Sequence, residues 1–208
     1  MLLYAGTILL SAFLLFLIQP IVGRLILPWF GGSAAVWNTC LLFFQALLLG
    51  GYCYAHYAST RLTPRASAAV HAGLLCVGFA ALAALFPPAA FWKPTDSGVG
   101  PELKILALLA ATIGAPYFVV SSTGPLLQRW FSLRFPGRAP YRLFAVSNAG
   151  SLLALLAYPF VVEPALALKL QAFWWRVGYA VFALLCGICA WQIRRRGPEL
   201  ETSAESSR

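Results

Sequence analysis

Acidic side chains are nearly missing from this chain: Asp and Glu together number six in 208 residues. They are Asp96 and Glu102 in one connection, Glu163 at the end of an apolar run, and Glu199, Glu201 and Glu205 near the C-terminus. None forms the carboxylate pair that general acid and base work requires, so no catalytic residue is assigned. Charge of either sign is scarce, at 10% of residues, where soluble domains carry roughly 25%. That excludes an ordinary water-soluble globule. Lys and Arg give a net charge of +9, but they lie scattered between apolar runs. A nucleic-acid partner, which needs a contiguous basic face, is therefore not expected.

Other absences narrow the chemistry. Gly98-Val99-Gly100 runs straight into Pro101 with no strand before it, so it is no nucleotide loop. The two histidines, His56 and His71, flank one connection, with Cys53 one turn from His56. Two imidazoles without a third ligand at fixed spacing do not make a metal site. No metal or cofactor is expected; His56 reads as interfacial and His71 as a polar contact inside a bundle. No cysteine falls in a connection where an oxidising compartment would pair it. Cys40, Cys53, Cys76, Cys186 and Cys189 all lie within apolar runs and read as small core residues. Cys186-Gly187-Ile188-Cys189 has the spacing of a redox pair, but nothing beside it activates a thiol.

What is present is apolar sequence: 61% of residues, with a mean hydropathy of +0.79. A bilayer core of about 30 Å needs about 20 apolar residues in a helix. Six runs qualify, near 2–22, 34–57, 66–91, 105–122, 143–162 and 170–193. They lack the period-two alternation of barrel strands. The expected fold is all-α, a polytopic bundle of six transmembrane helices over residues 1–196. Gly197-Pro198 should stop the last helix and leave 197–208 as a disordered polar tail. The first run has no basic leader or cleavage site and is expected to remain as a span.

Orientation follows from the basic residues of the connections. Arg61, Arg65, Arg129, Arg134, Arg138, Arg142, Arg194, Arg195 and Arg196 fall on one side; Arg24, Lys93, Lys104, Lys169 and Arg176 fall on the other. The richer side marks the cytoplasm, so both termini are expected there. Trp29, Phe30, Trp92, Trp174 and Trp175 collect at the expected outer boundary, as headgroup-level rings do. The segment from Pro125 to Phe135 mixes arginine with aromatic residues, which suits either a short helix on the inner leaflet or an irregular basic loop.

Polar residues inside apolar spans cost energy and mark either interhelical hydrogen bonding or a lined cavity. Gln19, Arg24, Trp37, Asn38, Gln45, Ser147, Asn148 and Glu163 are the candidate cavity or substrate residues, with Ser121, Ser122 and Ser151 beside them. Pro20 and Pro159 are expected to interrupt helices near their outer ends. Arg24 and Glu163 should both arrive at the outer boundary and pair, with Arg176 as rival partner or with each group solvated alone. A buried pair of this kind would cost ~3–5 kcal/mol to break.

Several motifs are distinctive in combination. They are Gln19-Pro20-Ile21-Val22-Gly23-Arg24, Leu27-Pro28-Trp29-Phe30-Gly31-Gly32-Ser33, Val36-Trp37-Asn38, the run from Pro140 to Ala154 containing Ser147-Asn148-Ala149-Gly150-Ser151, and Tyr158-Pro159-Phe160-Val161-Val162-Glu163-Pro164. Across roughly residues 5–195 the chain resembles the membrane half of bacterial proteins described as fused major-facilitator/spermidine-synthase-like. In those proteins an aminopropyltransferase-like domain follows the membrane region. The chain ends at Arg208, where that soluble half would begin, so the expectation is no enzyme in this polypeptide. The resemblance implies a multi-pass protein of the bacterial inner membrane, of half-facilitator type and unknown substrate. A homodimer or a second membrane half would complete it. The alternative it leaves is an anchor or docking subunit for a separately encoded spermidine-synthase-like enzyme, held through the basic inner connections; those residues otherwise only fix topology.

Overall fold

A computed structural model describes residues 1–88, 100–138 and 140–205. All elements among the described residues are helical, and six helices are long and apolar enough to cross a membrane. They are α1 (Leu2–Phe30), α2 (Ala34–Arg61), α3 (Pro64–Leu85), α4 (Pro101–Arg134), α5 (Tyr141–Ala165) and α6 (Leu168–Glu205).

Local sequence explains most helix ends. Gly31, at φ 79°, closes α1 and donates its N–H to the Leu27 carbonyl at 2.9 Å, a left-handed position that favours glycine. Ser33 Oγ then accepts the Val36 N–H and starts α2. Thr63 Oγ1 accepts the Ala66 N–H, with Pro64 in the first helical position of α3. Connections this short force α1, α2 and α3 to run antiparallel in turn. Gln171, buried on α6, donates to the Leu166 and Val162 carbonyls at 2.8 and 3.4 Å and so closes the C-terminal end of α5.

In lipid, apolar burial does not drive helices together; close packing and interhelical hydrogen bonds do. α1 is the central helix and packs on α4, α5 and α6, while α2 lies on α4 and α3 on α4 and α6. The tightest approach is between α1 and α5. A Cβ at Gly150 would sit 2.5 Å from the Leu9 carbonyl oxygen and 3.2 Å from Ala12 Cβ. Trp175 crosses from α6 to donate its indole N–H to the Leu14 carbonyl at 3.0 Å. Among α2, α3, α4 and α6, none packs substantially on α5, whose exposed residues include Leu152, Leu153, Leu155, Leu156 and Phe160.

The structure departs from the sequence reading at several points. α4 continues through Pro125 to Arg134, with Leu126, Leu127, Trp130 and Phe131 buried; the segment from Pro125 is the end of this long helix and neither a separate surface helix nor a loop. Its apolar residues fall on the side facing the bundle. α1 runs unbroken through Pro20, because one missing N–H costs a single hydrogen bond and the rest of the ladder holds. Pro159 lies in a widened π-turn, Tyr158–Val162, and not in a break. A second π-turn, Ala110–Gly114, lies in α4. α6 passes Gly197-Pro198 and reaches Glu205, so no helix stop occurs there. Cys53 and Cys76 face outward while Cys40, Cys186 and Cys189 are core. Trp175 is buried and no headgroup anchor. Trp92 and Lys93 lie outside the described residues.

Candidate functional site

Because α5 packs mainly on α1 while α2 packs mainly on α4, a groove opens between α2 and α5, floored by α1 and α4. It encloses about 520 Å³. Its polar wall comes from all four helices: Ser11 of α1, Tyr52 of α2, Ser121 and Gln128 of α4, and Ser147, Asn148 and Ser151 of α5. No Asp, Glu, Lys, Arg or His lines it.

The hydroxyls divide into two kinds. Ser11 donates to the Ile8 carbonyl at 2.9 Å, Ser121 to that of Phe118 at 2.9 Å, and Ser151 to that of Ser147 at 3.1 Å. Their hydrogens are used within their own helices, and their lone pairs remain as acceptors. The side chains of Tyr52, Gln128, Ser147 and Asn148 have no hydrogen-bond partner among the described residues. The groove therefore offers carboxamides and hydroxyls to a ligand, with no formal charge. It lies toward the end of the bundle that holds the N-terminus, where Arg138 Nη1 comes within 3.3 Å of Met1 Sδ.

Of the residues singled out from sequence, Ser147 and Asn148 line the groove. Gln19 does not; its Nε2 donates to Tyr117 Oη of α4 at 3.3 Å and reaches the Leu15 carbonyl at 3.5 Å, so it ties α1 to α4. Arg24 and Glu163 pair at 2.9 Å, away from the groove. Arg176, the rival partner, lines a smaller cavity of about 230 Å³ between α3 and α6. The Trp37 ring lies over Gly23, where a Cβ would come within 2.8 Å of it. Asn38 and Gln45 are exposed on α2 outside the groove wall. The Leu47 carbonyl of α2 lies 3.4 Å from Ser121 Oγ and competes with that of Phe118 for its one hydroxyl hydrogen. His71 is fully buried, with Nε2 3.2 Å from Thr123 Oγ1, whereas His56 is exposed.

Sequence reasoning missed Ser11, Tyr52 and Gln128. Tyr52 had a signal, since it follows Gln45 by one heptad. Gln128 was hidden by reading its segment as lying outside the span. No protein-family model, curated protein or solved structure matches this chain.

Proposed function

We propose that this chain is a transporter-like module of half-facilitator type in a bacterial inner membrane, with the groove between α2 and α5 as its solute site. The observation that carries this reading is the set of unpartnered carboxamides and hydroxyls facing a cavity inside membrane-crossing helices. Polar groups there are costly unless they meet a partner, water or a solute. Facilitators build their sites between two six-helix halves, and a groove open along one side fits that plan. Lacking a carboxylate or a closed aromatic cage, it suits an uncharged, hydrogen-bonding solute. A thermal-shift screen of the purified protein against polyols, amides, monocarboxylates and polyamines tests this. A stabiliser from the uncharged group, taken up by proteoliposomes and losing its effect in Asn148→Leu, is the expected result. Stabilisation unaffected by groove substitutions would overturn it.

A second reading, an anchor for a separately encoded synthase-like enzyme, is supported by the exposed Arg129, Arg138, Arg142, Arg194 and Arg195. Salt-sensitive co-purification of such an enzyme, lost when these arginines become glutamine, would favour the anchor over the transporter.

A further inference from the structure

The outward side of α2 carries a seam that the fold leaves uncovered. Asn38, Leu42, Gln45, Leu49, Tyr52 and His56 follow one another at alternating steps of four and three residues. That is the 3.5-residue repeat by which one helix packs along another. All six are exposed, with Leu42 and Leu49 at 63% and 65%. Spacing of this kind belongs to any one side of a helix; what a side facing only lipid would not need is the amides of Asn38 and Gln45 within it.

Gln45 makes the point sharpest. It lies about 17 Å along α2 from Ala34, at 1.5 Å per residue, which puts it near the middle of a hydrocarbon layer about 30 Å thick. Its side chain is too short to reach either headgroup region, and it has no hydrogen-bond partner among the described residues. The same holds for Asn38 nearer the helix start.

We infer that this seam docks against the same seam of a second copy, about a two-fold axis along the membrane normal. Three observations select this occupant. A carboxamide both donates and accepts, so Gln45 meeting its own copy satisfies both groups without any charge. Two copies inserted with the same orientation place their α2 helices parallel, and a polar residue in an apolar seam then fixes the register. The seam also shares Tyr52 with the groove wall, so the copy that covers α2 flanks the groove. The inference deepens the half-facilitator reading by naming the second half, and rests on it in that respect only.

Disulfide scanning in native membranes tests the pairing, in a background with Cys53→Ser and Cys76→Ser. Leu42→Cys, Gln45→Cys and Leu49→Cys should each cross-link chain to chain. Val77→Cys on α3 and Leu184→Cys on α6, both exposed but on other sides, should not. Native mass spectrometry should give a dimer, and Gln45→Leu should weaken it about threefold, the effect of an average interhelical hydrogen bond in a membrane. Cross-linking through positions 77 or 184 in place of the seam would overturn the proposal. So would a monomer without cross-links, or a different protein captured by Gln45→Cys. A monomer that still takes up solute would remove the pairing and leave the transport reading intact.

Discussion

The Arg24 guanidinium and the Glu163 carboxylate meet at 2.9 Å and join the ends of α1 and α5 that lie away from the N-terminus. The two residues are 139 positions apart in sequence and on helices that run the same way. Glu163 directly follows the π-turn at Tyr158–Val162.

The pair is 44% and 42% exposed, so its worth is that of a surface ion pair and not of a buried one. A double-mutant cycle with Arg24→Ala and Glu163→Ala should give a coupling of about 0.2–1 kcal/mol in detergent unfolding, smaller in high salt. Exchanging the charges, Arg24→Glu with Glu163→Arg, should restore most of it. A coupling of about 3 kcal/mol would show that the pair is desolvated in the membrane.

Gly150 sets how close α5 can lie to α1. Gly150→Ala would drive a methyl group into the Leu9 carbonyl and should cost about 1–3 kcal/mol, as overpacking does. Gly73, with nothing within 4 Å of its would-be Cβ, is the matched comparison on a helix. Gly73→Ala should be neutral or stabilising by about 0.4–1 kcal/mol. Equal melting temperatures for the two variants would contradict the packing.

Spermidine should not be a substrate of this chain alone. A polycation entering the groove would lose hydration and meet no carboxylate, since none lines it. Saturable spermidine uptake by proteoliposomes, abolished by groove substitutions, is the result that would refute this.

Topology can be read directly. With the arginine-rich end inside, green fluorescent protein fused after Arg208 should fluoresce. Alkaline phosphatase inserted between Gly31 and Ser33 should be active. The reverse pattern would invert the assignment.

The sequence by itself determined that six helices are long and apolar enough to cross a membrane, and roughly where they start. Apolar length is a local property, and the caps at Ser33, Thr63 and Gly31 act within a few residues of themselves. It also named Ser147 and Asn148, because a polar side chain in a span is conspicuous wherever it points. Direction is what the chain could not give. Gln19 and Asn148 look alike in sequence, yet one binds Tyr117 and the other faces the groove, because only the packing of α4 and α5 on α1 decides what each side chain meets. The end of α4 was misjudged for a related reason. Trp130, whose indole N–H points to Ser67 Oγ at 3.4 Å, sits among arginines in sequence and is nonetheless buried. A helix faces its neighbours with one side and water or lipid with the other. Which residues gain a partner therefore depends on the other helices, and only the tertiary structure supplies those.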